Sequence, residues 1–160
     1  MTRTDLPYRA CVGIAVFNQD GLVFIGRRAG LPQDAPHAWQ MPQGGIDEDE
    51  EPAVAAYREL FEETGMSSVS MLGEAPDWFN YDLPPGSKKR WMDRFRGQTQ
   101  KWFAFRFTGD EGEIRLDMHQ KPEFDAWRWA PISETPSLIV PFKRRVYEQV
   151  ADAFAEYAAD

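Results

Sequence analysis

Residues 44–66 read GGIDEDEEPAVAAYRELFEETGM, and this stretch says most about the fold of the chain. Its apolar residues recur at the three- and four-residue spacing of one helical face: Ala53, Ala56, Tyr57 and Leu60. Pro52 suits a first helical turn, where its missing N–H costs nothing, and Gly65 suits the position just after a last turn. The stretch therefore predicts an α-helix over residues 52–64.

Three glutamates of this helix, Glu59, Glu62 and Glu63, lie within one turn of each other and share one face. Glu59 and Glu63 form a like-charged pair, which costs an isolated helix roughly 0.2–0.5 kcal/mol. Arg58 is the only base nearby in sequence. Carboxylate oxygens are the ligands that Mg²⁺ and Mn²⁺ prefer, so the cluster indicates a divalent-metal site. The alternative is an acidic helix face that contacts only water.

The acidic helix is part of a longer pattern: Gly44, five residues, Glu50, seven residues, then Arg58-Glu59-Leu60-Phe61-Glu62-Glu63-Thr64-Gly65-Met66. This pattern resembles the signature of the Nudix hydrolase family at every fixed position. The resemblance implies an α/β fold, namely an α/β/α sandwich with a mixed sheet between helices. It also implies hydrolysis of nucleoside diphosphates linked to another group, with Mg²⁺ or Mn²⁺ as cofactor and more than one ion bound.

The same resemblance assigns roles within the motif. The three glutamates would be metal ligands, and one of them or a distant acid would act as the base. The carbonyl of Gly44 would complete a metal site. Arg58 would orient a carboxylate of the motif, that of Glu50, which is a structural role with consequences for catalysis.

Four further segments, residues 39–46, 98–103, 122–129 and 140–147, resemble the bacterial branch of this family that contains RNA pyrophosphohydrolases and dinucleoside polyphosphate hydrolases. The resemblance runs from about Tyr8 to Val150. It implies that the substrate is 5′-triphosphorylated RNA, a dinucleoside polyphosphate, or both. The loop over residues 29–38 is longer than in the shorter members of this branch and lies just before the motif, where it could alter the preference between the two substrates.

Residues outside the motif receive roles from the branch resemblance. Glu123 would join the metal cluster and could serve as the base; read without the resemblance, it is an ordinary loop carboxylate. The implied substrate contacts are Arg28, Lys101 and Lys143 for phosphates, Arg9 and Tyr81 as further contacts, and Val140 with Phe142 around the first base. An aromatic face there can stack on a base at roughly 1–3 kcal/mol. Phe142 also begins the apolar stripe of a C-terminal helix, so core packing is an equal alternative.

Charge is distributed unevenly along the chain, whose formal net charge is −8. Residues 44–66 carry a net −7, whereas residues 88–106 carry a net +6. Aromatic side chains, Trp91, Phe95 and Trp102, lie among the basic ones, as expected where phosphates and bases are contacted together. The pattern suits a polyanionic substrate handled through bound cations; the alternative for the basic stretch is a solvated loop.

The whole chain is 160 residues long, the size of one domain, so we expect a single Nudix hydrolase domain over residues 1–160. Asp20-Gly21 between two apolar runs predicts a β-hairpin, and residues 98–107 and 124–130 predict strands. Apolar residues at four-residue spacing predict an amphipathic C-terminal helix: Phe142, Val146, Val150 and Phe154. His37 and His119 show no ligand spacing, and Cys11, the one cysteine, suits a small core position.

The N-terminal residues show no secretory signal and no apolar run is long enough to span a membrane, so a cytoplasmic location is expected, with no obligate protein partner. Two other functions stay open. One keeps the chemistry but changes the substrate to ADP-ribose or a nucleoside triphosphate. The other is a non-catalytic module that binds nucleotide or RNA, which would not need the intact carboxylate cluster.

Overall fold

The computed structural model describes residues 5–84 and 94–159. Its strands are β1 (Tyr8–Phe17), β2 (Val23–Arg28), β3 (Trp39–Gln40), β4 (Gln43–Gly45), β5 (Val69–Glu74), β6 (Phe79–Asp82), β7 (Gly97–Phe107) and β8 (Phe124–Ala130). Its α-helices are α1 (Pro52–Thr64), α2 (Thr135–Leu138) and α3 (Arg144–Ala153). No helix in these ranges is long and apolar enough to cross a membrane.

The sheet is mixed and is built around two long strands, β1 and β7, which run parallel from the Tyr8–Gly97 pair to the Phe17–Arg106 pair. The strand order is β3-β2-β1-β7-β5; β4 pairs with β1, β6 with β7 and β8 with β2. All the other pairings are antiparallel. The hairpin predicted at Asp20-Gly21 is confirmed, since β1 and β2 pair across it and Gly21 takes a left-handed φ of 76°.

Each face of the sheet carries its own core because side chains alternate along β1 and β7. On one face, Val12, Ile14 and Val16 pack with Leu60 of α1. On the other, Ala15 and Phe17 of β1 belong to the same core as Val146, Tyr147 and Val150 of α3. The predicted α/β/α sandwich with a mixed sheet between helices is therefore what the structure has.

Helix α1 begins and ends where the sequence predicts. Gly65 adopts a φ of 74°, and its N–H donates to the carbonyl of Phe61, which closes the last turn. The C-terminal helix is shorter than the apolar spacing predicts. Phe142 lies in a separate 3-10 turn (Pro141–Lys143), and α3 ends at Ala153, one residue before Phe154.

Cys11 lies on the buried part of β1, where removal from water raises the pKa of its thiol to about 11. The thiol is therefore protonated at neutral pH, as expected of a core residue.

Candidate active site

The first part of the site is the acidic face of α1, with Arg58 at its centre. Nε and Nη2 of Arg58 donate to the two carboxylate oxygens of Glu50, both at 2.8 Å. Nη1 donates to Glu59 at 2.9 Å and to Glu62 at 3.3 Å. Nη2 also donates to the carbonyl of Gly45 at 2.9 Å. One guanidinium thus joins the loop before the helix to the acidic face of α1, and the contact predicted between Arg58 and Glu50 is present.

The charge on Arg58 changes how its neighbours titrate. Hydrogen bonds from Arg58, followed by one from the backbone of Asp47, lower the pKa of Glu50 to about 2. Burial instead raises the pKa of Glu59, although Arg58 partly opposes it. Glu50 therefore stays ionised at any physiological pH, as the fixed partner of Arg58.

Glu63 is the glutamate of α1 whose pKa is raised most. Burial raises its pKa well above the usual value, and the nearby carboxylates of Glu123 and Glu59 raise it further, while the backbone of Gln43 opposes the change. One of its carboxylate oxygens, Oε2, is enclosed and has no hydrogen-bond partner in the part of the chain that the structure describes. A buried, unpartnered carboxylate oxygen is costly, and bound cations would remove that cost.

Gly44 has no side chain, and the Glu59 carboxylate occupies the space that a side chain there would fill. A Cβ at this position would come within 2.1 Å of Cδ and within 2.2 and 2.5 Å of the two carboxylate oxygens of Glu59. The strand β4 therefore meets α1 through bare backbone, which brings the main chain of Gly44 beside a predicted metal ligand. This is the placement that a carbonyl ligand would need.

Glu123 reaches the site from the other end of the chain. It directly precedes β8, and its carbonyl accepts a hydrogen bond from the N–H of Ala29, just after β2. The register of β2 and β8 shifts between Arg27 and Arg28, next to this contact. The side chain of Glu123 lines a cavity with those of Glu59, Glu62 and Glu63. The structure thus brings all four predicted acids together.

These acids fit a divalent cation by their chemistry. They supply hard oxygen donors, the pKa of Glu59 and that of Glu63 are both raised, and one oxygen of Glu63 has no partner. Within residues 5–84 and 94–159, however, no three acidic, histidine or cysteine side chains already form a closed set of ligands. Arg58, which holds Glu59 and Glu62, competes for the same oxygens.

A second cleft, of about 370 Å³, continues from Gly44, Glu59, Glu63 and Glu123 towards the C-terminal segment. Six of the seven predicted substrate contacts line it: Arg9, Arg28, Tyr81, Val140, Phe142 and Lys143. Nε of Arg28 is buried and lacks a hydrogen-bond partner among the described residues, while Nη2 donates to the carbonyl of His37. Carboxylates, cations and aromatic rings thus all line this cleft.

The aromatic end of the cleft is formed by Tyr81 and Phe142, whose ring centres are 5.5 Å apart. The ammonium of Lys143 lies 5.2 Å from the centre of the Tyr81 ring. Phe142 is 39% exposed, so it is not part of the core beneath α3. Of the two roles that the sequence allowed for Phe142, the structure favours the one at the cleft surface.

Lys101 is the predicted contact that the structure does not bring to the cleft. Its ammonium donates to the carbonyl of Ala75 and lies 3.9 Å from Glu74, and it does not line the cleft. The reason is strand alternation, because Gln98 and Gln100 of β7 face the cleft side and Lys101 faces away from them. The prediction that Lys101 contacts phosphate has no support from this geometry.

The basic stretch over residues 88–106 divides in the structure. Residues 88–93, including Trp91, lie outside the described residues. Arg96 pairs with Asp82 at 2.8 Å, and Arg106 donates to the carbonyl of Asn18. These two arginines therefore contact other parts of the protein and do not line the cleft.

Some cleft residues were not identified from the sequence. Gln40, Gln43 and Gln98 line the larger cleft, and His119 with Lys121 lines the cavity beside the glutamates. Two glutamines two residues apart, Gln98 and Gln100, were a signal for the part of this group on β7. His119 shows no ligand spacing in the sequence, and only the folded chain brings it next to the glutamates of α1.

The chain matches the NUDIX domain model over residues 7–150 and therefore belongs to the Nudix family. It is 57% identical to the RNA pyrophosphohydrolase of Brucella abortus (strain 2308), over 97% of this chain and 92% of that protein. It is 55% identical to the RNA pyrophosphohydrolase of Azorhizobium caulinodans, over the full length of both.

Solved structures agree on the fold. The E. coli dihydroneopterin triphosphate pyrophosphohydrolase superposes with a TM-score of 0.64 at 19% identity, covering 89% of this chain and 96% of that one. A C. elegans Ap4A hydrolase superposes with a TM-score of 0.61 at 14% identity, covering 92% and 98%. Nudix hydrolases generally use divalent metal ions.

Proposed function

We propose that this Nudix hydrolase removes pyrophosphate from the 5′-triphosphate end of RNA and also cleaves dinucleoside polyphosphates. The observation that carries the proposal is a pair of adjoining pockets that share Glu59, Glu63 and Glu123: Glu62 also lines the first, and cations and aromatic rings also line the second. Two relatives with 57% and 55% identity are RNA pyrophosphohydrolases, and one structural neighbour is an Ap4A hydrolase. The substrates in these names contain both phosphates and a base, and the cleft offers cations for the first and aromatic rings for the second.

The metal cofactor of this proposal is Mg²⁺ or Mn²⁺, with more than one ion bound. Glu59, Glu62, Glu63, Glu123 and the carbonyl of Gly44 would hold the ions. When bound, they supply charge neutralisation at phosphoryl oxygens, which weakens the phosphoanhydride bond.

The side chains of this protein position the substrate for hydrolysis. Arg28, Arg9 and Lys143 bind the phosphate chain, and their charges offset its negative charge. Tyr81, Val140 and Phe142 hold the first base in the same cleft. Because the base and the phosphates are fixed at once, the phosphorus to be attacked lies beside the acids of α1.

In the reaction, a water oxygen attacks phosphorus and the P–O–P bond breaks, so that pyrophosphate leaves and the RNA keeps a 5′-monophosphate. The proton of the water passes to a carboxylate of the acidic cluster. Glu63 and Glu123 are the proposed acceptors, because both line the two adjoining pockets beside the other glutamates. Arg58 acts through Glu50, Glu59 and Glu62, whose carboxylates it holds in place.

We further propose that residues 1–160 form a single Nudix hydrolase domain that acts without an obligate protein partner. A cytoplasmic location goes with this proposal, because bacterial transcripts with 5′-triphosphates are made there.

The test offers triphosphorylated RNA, diadenosine tetraphosphate and ADP-ribose side by side with Mg²⁺, and measures kcat/KM for each. The proposal expects hydrolysis of the first two and release of pyrophosphate from the RNA. Preference for ADP-ribose would overturn the substrate assignment. Binding of nucleotide without turnover of any pyrophosphate would instead identify a non-catalytic module.

A further inference from the structure

Hydrogen bonds join Trp102, Gln100, Gln43 and Gln98 in a network that we call the glutamine row. It begins at Trp102 in the core and ends at the two glutamines that line the cleft. The indole N–H of Trp102 donates to Oε1 of Gln100 at 2.9 Å. Nε2 of Gln100 donates to Oε1 of Gln43 and to Oε1 of Gln98, both at 2.8 Å. Trp102, Gln98 and Gln100 are all buried, so water does not compete for these bonds.

The direction of this row is fixed by chemistry. An indole N–H can only donate, so the amide oxygen of Gln100 must face Trp102. The amino group of Gln100 then faces the other way and uses its two N–H bonds on two oxygens. Gln43 and Gln98 must therefore present their oxygens to Gln100, and their own amino groups point elsewhere.

Those two amino groups belong to side chains that line the cleft. Gln98 lies in register with Arg9 of β1 on one side and with Tyr81 of β6 on the other. Gln43 directly precedes Gly44, beside the acids. Over the described stretches of the chain, neither amino group has a hydrogen-bond partner of its own, although both could donate twice.

We propose that Gln43 and Gln98 bind the substrate by donating hydrogen bonds from their amino groups to its acceptor oxygens. Trp102 and Gln100 are positioning residues that hold both amides in the donating direction. This proposal rests on the proposed function and names further residues of the same cleft. The acceptor oxygens belong either to the phosphate chain or to the base, since both pass this floor.

Gln100→Glu tests the positioning step without touching a cleft residue. Glutamate is nearly the same shape but accepts only, so it keeps the bond from Trp102 and loses both donations. Gln43 and Gln98 would then turn their amino groups towards residue 100 and present oxygens to the cleft. We expect KM for triphosphorylated RNA to rise about tenfold or more, with kcat changed less than about threefold, the scale of losing hydrogen bonds to a charged ligand.

Gln98→Met tests the binding step without adding charge, because methionine has a similar length and no donor. Its KM should also rise about tenfold, which separates loss of a donor from repulsion by the new carboxylate of Gln100→Glu. Thr99→Val is the matched control: it changes the adjacent residue on the opposite face of β7 and should leave both constants within about twofold. Thermal melting of each variant confirms that the fold is kept.

The KM increases of the variants on different RNAs identify which substrate oxygens accept these hydrogen bonds. A KM increase that is the same for RNAs beginning with A and with G assigns the bond to phosphate oxygens, and one that depends on the first base assigns it to the base. Wild-type KM in Gln98→Met would overturn the proposal, whatever Gln100→Glu does. If the wild-type protein hydrolysed no triphosphorylated RNA, the proposed function would fail first; the same variants, compared on diadenosine tetraphosphate, would still decide whether the amides bind a nucleotide.

Discussion

Replacing Gly44 by alanine tests whether the position of Glu59 controls activity. The added Cβ would lie 2.1 Å from Cδ of Glu59, more than 1 Å inside the 3.4 Å at which ordinary contacts begin. Gly44 is not among the glycines with a left-handed φ, so alanine meets no backbone strain there. The neighbour must give way, and that neighbour is a proposed metal ligand.

The expected loss follows from that displacement. Moving a reacting or ligating group by about 1 Å can cost on the order of 10²-fold in rate. We therefore expect kcat/KM of Gly44→Ala to fall about 100-fold or more. The displaced atoms are the end of a flexible side chain that lines a cleft, so the free energy of unfolding should fall by no more than the roughly 1–3 kcal/mol typical of overpacking a closed core, and the fold should survive at 25 °C.

The assay measures pyrophosphate release from triphosphorylated RNA at saturating Mg²⁺, with unfolding in urea measured in parallel. Gly112→Ala is the matched control, because a Cβ there meets no atom within 4 Å and the residue lies in an exposed turn. The control should keep wild-type activity. If Gly44→Ala kept kcat/KM within threefold of the wild type, the close approach of β4 to Glu59 would have no part in catalysis.

Three further predictions concern the same site. Glu62→Gln should lower kcat at least ~10²-fold with unchanged melting, since it removes charge and almost no shape; full activity would contradict its role. The pKa of Glu50 is lowered to about 2, so its pairing with Arg58 stabilises the fold above pH ~4.3 and is lost as pH falls towards 2. Urea midpoints of the wild type and Glu50→Gln should thus differ near pH 7 and converge near pH 2; a constant difference would contradict this. Lys101→Met should leave KM within threefold, whereas Lys143→Met should raise it about tenfold or more; the reverse order would restore the phosphate contact that the family resemblance assigns to Lys101.

Much of the acidic face of α1 could be predicted from the sequence, because the pattern that places it is local. The spacing of Glu59, Glu62 and Glu63 requires only that α1 be helical, and the proline and glycine at its ends fix where it begins and ends. The pairing of Arg58 with Glu50 came from the family resemblance, since seven residues separate the two in sequence, and its bidentate geometry came from the structure.

The remaining features depend on tertiary contacts. The short strands β3 and β4 hold two and three residues, too few for a periodic pattern. They pair with stretches of β2 and β1 that the short contact between β1 and β2 leaves unpaired. The place of Lys101 depends on which face of β7 meets the cleft, which the resemblance did not resolve. The glutamine row joins three residues of β7 to one of β4, and only the folded sheet brings them together.

The central claim is that the glutamates of α1 bind divalent cations beside the phosphates of the substrate. Isothermal titration calorimetry with Mn²⁺ and Mg²⁺, with and without a non-hydrolysable dinucleotide, measures this binding directly on the wild type and on Glu63→Gln. We expect uptake by the wild type that strengthens with nucleotide, and affinity at least tenfold weaker in Glu63→Gln. No heat of binding by the native protein, even with nucleotide present, would contradict the account.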